Sequence, residues 1–188
     1  MNMLVAGIDA STNKTGVAIM DDGELVYYTL IDLHKEKDAM KRIQGMLIKI
    51  SEVLEQYDID IVYMEKAFNR SNTDTTMKLA NLAGGVMYYC TKNGIKFVHP
   101  EPSVWRAKIG LQQGRGVKRE VLKAEAIKIV INEYGIDEGD DVAESILLAR
   151  SAFDLPKIGM TEDDLWNWFW KLCRYGVVFM AVLYKYKQ

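Results

Sequence analysis

Apolar residues open the chain in two short bursts, residues 3–9 and 15–20, rich in Val, Ile and Ala and parted by the polar stretch STNKTG. DDG at 21–23 is a tight hairpin signal leading into ELVYYTLI at 24–31, so the pattern predicts three consecutive antiparallel strands. From about 35 to 57 the period changes. Met40, Ile43, Met46, Leu47, Ile50, Val53, Leu54 and Tyr57 recur at three- and four-residue steps between charges, which predicts an amphipathic helix. DIDIVYME at 58–65 returns as a strand, and residues 75–94 read as a second helix closed by Gly94. IKFV at 95–98 is a short strand stopped by Pro100. A short helix over 103–109, a loop GLQQGRG at 110–116, a helix over 118–134 and a last helix over 140–153 complete the pattern. Hairpins first and strand–helix units afterwards predict an α/β domain: a mixed five-stranded sheet flanked by helices on both faces.

Four acids stand out once placed on these elements. Asp9 ends the first strand and Glu65 ends the strand over 58–65, while Asp141 and Glu144, three residues apart, share one face of the last helix. Carboxylates brought together repel one another unless a cation neutralises them, so such a set suits hard, oxygen-seeking Mg²⁺ or Mn²⁺. A pair of such ions can clamp an in-line displacement at phosphorus. Taken singly, each acid has a plainer reading. Asp9 could accept backbone hydrogen bonds from the next turn, Glu65 could pair with Lys66 or Arg70, and DEGDD at 137–141 could be a solvated helix start.

Composition narrows the setting. The 188 residues, 49% hydrophobic, suit one globular domain, and Lys+Arg 24 against Asp+Glu 26 leaves no global basic excess, so any polyanion site must be local. Cys90 and Cys173 lie far apart in no metal-ligand or paired spacing, and the N-terminus lacks the features of a signal peptide, which points to a reducing, cytoplasmic setting. His34 and His99 have no partner spacing that suggests zinc, and His99 reads as structural. Local basic charge gathers at Arg106, Lys108, Arg115, Lys118, Arg119, Lys123 and Lys128, where phosphate neutralisation would supply affinity for nucleic acid; a plain solvated helix face is the alternative.

The stretches GIDASTNKTGVAIMDDGEL, VYMEKAF, MKLANLAGGVMYYCTKNGIKFVHPEPSVWRAKIG, GVKREV and DDVAESILLA, in that order, resemble the successive blocks of the RuvC family of Holliday junction resolvases, within the ribonuclease H-like superfamily. The resemblance covers residues 3 to 153. It implies a divalent-metal-dependent endonuclease, using Mg²⁺ or Mn²⁺, that acts as a homodimer on branched four-way DNA and nicks two strands symmetrically. Asp9, Glu65, Asp141 and Glu144 then occupy the family's four acid positions. The family's last acid is commonly Asp, so Glu144 is a departure, and Asp141 rather than Asp140 keeps ESILLA in phase with the family. Arg106 and Lys118 match basic positions beside the scissile phosphate, Lys118 with a catalytic role. Phe68, in the loop KAFNRSNTD with Arg70, matches an aromatic that probes the junction centre. A related nuclease with broader taste for branched DNA is the chief alternative. An actin-like phosphotransferase would need a second lobe and a second glycine-rich loop that the chain lacks, and a silent binding module would be expected to lose an acid.

The resemblance leaves 156–188 uncovered, which makes 1–155 the expected nuclease domain. The remainder, with LWNWFWKLCRYGVVFMAVLYKYKQ at 165–188, is expected to be an aromatic-rich extension packed on the domain or its dimer partner. Its apolar stretch falls short of the roughly twenty residues that span a bilayer, so no membrane anchor is expected.

Overall fold

The computed structural model describes residues 2–66, 73–111, 116–158, 161 and 164–168. Strands β1 (Leu4–Asp9), β2 (Lys14–Asp21), β3 (Glu24–Asp32), β4 (Ile61–Met64) and β5 (Lys96–Val98) form one sheet in the order β3-β2-β1-β4-β5. The β1–β2 and β2–β3 pairings are antiparallel, and β1–β4 and β4–β5 are parallel. This is the mixed five-stranded sheet expected. The helices are α1 (Ala39–Leu54), α2 (Thr73–Lys92), α3 (Pro102–Ile109), α4 (Arg119–Tyr134) and α5 (Asp140–Arg150).

Side-chain alternation divides the sheet between two layers. Ala6 and Ile8 of β1, Val17 and Ile19 of β2 and Val62 and Met64 of β4 join Met46 and Ile50 of α1 and Leu82 and Val86 of α2 in one core cluster. The alternate positions face α5. A Cβ on Gly7 would stand 2.2 Å from the Ser145 carbonyl oxygen, and one on Gly16 would stand 1.9 Å from that of Asp141. Only glycine leaves room for the α5 backbone to lie directly on β1 and β2. With layers on both faces, β1 and β2 are buried on both sides, which explains their nearly continuous apolar runs.

Several boundaries differ from the sequence pattern for local reasons. The first helix starts at Ala39 rather than 35, because Asp38 takes extended backbone and accepts the Lys41 N–H at 2.8 Å as an N-cap. It ends at Leu54. Tyr57, assigned to the helix by periodicity, lies beyond it and packs on Tyr27 at a ring separation of 5.6 Å. The strand over 58–65 shrinks to Ile61–Met64: the Asp60 carboxylate receives the Leu4 N–H at 2.8 Å, where a ladder carbonyl would otherwise stand. Glu65 therefore lies one residue past the strand. The last helix stops at Arg150 rather than 153, where the Ser151 hydroxyl donates to the Leu148 carbonyl at 2.7 Å. α2 closes near Gly94, whose φ of 72° suits glycine at a helix end.

The chain divides into two compact units, Met1–Leu155 and Pro156–Gln188. Among the described residues no helix is long and apolar enough to cross a membrane. Cys90 is a free, buried thiol whose pKa burial pushes up to about 11; Cys173 lies outside the described residues.

Candidate active site

Register brings the first two acids together. The parallel pairing of β1 and β4 ends at Ile8 with Met64, so the next positions along the two chains are Asp9 and Glu65. Adjacent strands lie about 4.8 Å apart. Asp9 follows Val5 and Gly7 on the α5 side of β1. The contact of Gly16 with the Asp141 backbone sets the start of α5 over the same end of the sheet, and Asp141 and Glu144 come with it.

Mutual repulsion records this convergence. Burial first, then the charges of Glu144, Glu65 and Asp141, holds the Asp9 carboxyl well above the ordinary carboxylate range. Burial likewise raises Glu65, against the lowering effect of Arg106, and raises Asp141, with Asp140 and Glu144 adding to it. The charges of Glu144, Glu65 and Asp141 are thus all felt at Asp9, the electrostatic neighbourhood expected of the four acids. Asp140 forms an ion pair with Lys123, which lowers its pKa against the effect of burial, whereas Asp141 and Glu144 are the helix acids whose charges are felt at Asp9.

A buried tryptophan and an arginine complete the site. Trp105, 2% exposed, donates its indole N–H to Glu65 Oε2 at 2.6 Å, the usual need of a buried indole. Arg106 Nη2 lies 2.6 Å from Glu144 Oε1 and 3.5 Å from Glu65 Oε2, with the guanidinium carbon 4.8 Å from the centre of the Trp105 ring. His99, its pKa held low by burial, hydrogen-bonds the backbone of Glu65.

The other residues singled out in the sequence fare differently. Lys118 is the exposed N-cap residue of α4, and Arg119 beside it is exposed, with its charge felt at Glu65 and Asp140. Lys108 lies 3.7 Å from Asp154. Arg106, expected on a basic surface, is instead largely buried among the acids. Phe68, Arg70 and Arg115 lie outside the described residues. Lys123, whose charge reaches Asp9, Asp141 and Glu144, was read from the sequence as one more basic residue, and Trp105 not at all. An indole on a short helix opened by Pro102, next to Arg106, was the available signal.

The donor set is four carboxylates, the hard oxygen ligands that Mg²⁺ and Mn²⁺ take. Their mutual repulsion is the electrostatic condition a divalent cation would relieve. Among the described residues no three acidic, His or Cys side chains already stand in a ligating arrangement. Arg106 supplies the positive charge between two of them.

Comparison with known proteins decides the family. Residues 5–149 match the family model described as crossover junction endodeoxyribonuclease RuvC. The chain belongs to the RuvC family. A RuvC of Xanthomonas campestris pv. campestris is 25% identical over 171 residues, covering 87% of this chain and 97% of that protein. One of Citrifermentans bemidjiense is 26% identical over 157 residues, 80% of this chain and 94% of that protein. In structure, Thermus thermophilus RuvC in complex with a Holliday junction substrate superposes with a TM-score of 0.61 at 16% identity, over 79% of this chain and 91% of that one. The match establishes the shared RuvC fold.

Proposed function

We propose that this chain is a divalent-metal-dependent endonuclease that acts as a homodimer on four-way DNA junctions and hydrolyses two phosphodiester bonds in paired, symmetric nicks. The observation that carries the reading is the meeting of Asp9, Glu65, Asp141 and Glu144 from three separate elements in a chain of the RuvC family. In this reading the four acids hold Mg²⁺, with Mn²⁺ an acceptable substitute, and the bound cation would supply an activated water and charge stabilisation at phosphorus. Trp105 orients Glu65 through its indole N–H. Lys118 and Arg119, exposed at the start of α4, meet the phosphate backbone, Lys118 beside the scissile bond; Lys108 and Arg115 extend that contact. Phe68 and Arg70 act at the junction centre. Residues 1–155 are the nuclease domain and 156–188 an aromatic-rich extension, and the protein works in the cytoplasm.

The purified chain with synthetic four-way, three-way and duplex DNA in Mg²⁺ tests the reading. Symmetric nicks confined to the four-way substrate are expected. Equal cutting of all branched forms would replace it with a broader branched-DNA nuclease, and no cutting in either metal would remove it.

The dimer has its own support. Met77, Met87 and Tyr88 on α2 are 67%, 50% and 70% exposed, and Ala80 and Gly84 lie on the same side of the helix. A Cβ on Gly84 would meet nothing within 4 Å among the described residues, so its small size serves no packing among them; Gly85, by contrast, abuts Leu47. Close approach of a second α2 is the use that remains. Gly84→Leu is therefore expected to leave folding intact while weakening self-association at least about tenfold. Sedimentation equilibrium measures it, and an unchanged dimer would move the interface elsewhere.

A further inference from the structure

Arg106 sits where a surface DNA contact would not. Its side chain is 13% exposed, against 22% for Glu65 and 6% for Glu144, and one nitrogen, Nη2, faces both carboxylates. Glu65 Oε2 also receives the Trp105 indole N–H, and Trp105 lies against the guanidinium. The arginine Nε is buried and has no hydrogen-bond partner among the described residues. What sets this arginine apart is the pair of carboxylates that its guanidinium faces and the indole it lies against.

An oxygen ligand stands about 2.0–2.1 Å from Mg²⁺. A divalent cation held by Glu65 and Glu144 would therefore compete for these carboxylates with the Arg106 guanidinium, whose Nη2 lies 2.6 Å from Glu144 and 3.5 Å from Glu65.

Resting on the metal-binding reading above, we infer that Arg106 is a built-in counter-ion of Glu65 and Glu144 which a divalent cation must displace, so that loading the site frees the guanidinium for the DNA phosphate. The apo site is thereby kept neutral enough to fold, since a buried carboxylate such as Glu144 left unpaired is costly. The same arrangement lowers intrinsic cation affinity. It makes metal occupancy and phosphate contact by Arg106 two sides of one exchange.

Calorimetric titration of Mn²⁺ into the full chain without DNA tests this in wild type, Arg106→Gln and Arg106→Lys. Removing the competing charge-assisted hydrogen bond should tighten Mn²⁺ binding about tenfold or more in Arg106→Gln. Arg106→Lys keeps the positive charge on a shorter side chain that reaches the acids less well, and should fall between. An arginine that merely holds the acids in place predicts the reverse order. Unchanged or weaker binding in Arg106→Gln, with the wild type binding, overturns the counter-ion inference and leaves the metal reading standing. No Mn²⁺ binding by any of the three overturns the metal reading and this inference with it. If Arg106→Gln does not fold, Arg106→Lys decides alone: tighter than wild type supports the exchange, and equal or weaker refutes it.

Discussion

Asp9→Asn is expected to lower junction cleavage at least about a thousandfold while leaving junction binding within a few-fold of wild type. The amide matches the carboxylate in size but carries no charge to hold a cation, and Asp9 is the acid on which the other three converge. The same substitution has an opposite effect on stability. A carboxyl whose folded pKa lies above its ordinary 3.8 binds a proton more readily folded than unfolded, so it favours folding at low pH and loses that contribution as pH rises through the folded value. At neutral pH without divalent ions, Asp9 therefore costs the fold stability, whether its carboxyl is held protonated or buried as the anion. Asp9→Asn should melt higher than wild type there, and the advantage should vanish below pH 3.8. Nicking assays and thermal melts across pH measure both halves. Near-normal nicking in Mg²⁺ would sink the metal assignment, and a lower melting temperature at neutral pH would contradict the repulsion.

Much of this arrangement was legible in the residues alone, for physical reasons. Hydrophobic period marked the five strands and the helices, because β1 and β2 are covered on both faces, β3 alternates between a covered and an exposed face, and α1 is covered on one. The four acids were legible because Asp9 and Glu65 stand at the ends of apolar strands and Glu144 shares with Asp141 one face of an otherwise apolar helix, where a charge needs an explanation. Less legible was what the interior does with charge. Arg106 and Lys123 read as members of a basic surface, since periodicity within a helix does not show which distant carboxylates the fold brings alongside. Glu144 pairs with Arg106 across 38 positions of sequence, and Trp105 with Glu65 across 40. Boundaries shifted wherever a side chain replaced a backbone group, as Asp38 does at α1 and Asp60 does before β4. Gly7 and Gly16 also carried an unread signal. Glycine inside a strand lacks side-chain packing and costs backbone entropy, so it marks a close approach of another backbone.

That close approach makes Gly16→Ala the second decisive substitution. One added carbon would stand 1.9 Å from the Asp141 carbonyl oxygen and 3.0 Å from the Val142 nitrogen, both backbone atoms that cannot swing aside as a side-chain tip would. α5 must lift or slide from β2 to admit it. Overpacking of this kind costs about 1–3 kcal/mol, and the displaced segment is the first turn of α5, which carries Asp141. A shift of about 1 Å in a positioned catalytic group is enough to cost about a hundredfold in rate. Gly16→Ala is therefore expected to lose both stability and at least that much cleavage, where Asp9→Asn loses cleavage alone. Denaturant melts and single-turnover nicking separate the two patterns. The Gly84→Leu protein is the internal control for stability, because a Cβ there meets nothing within 4 Å among the described residues and the folded protomer should be as stable as wild type. A Gly16→Ala protein as stable and as active as wild type would show that α5 does not rest on β2 at this point, and would remove the structural reason for Asp141 to stand beside Asp9.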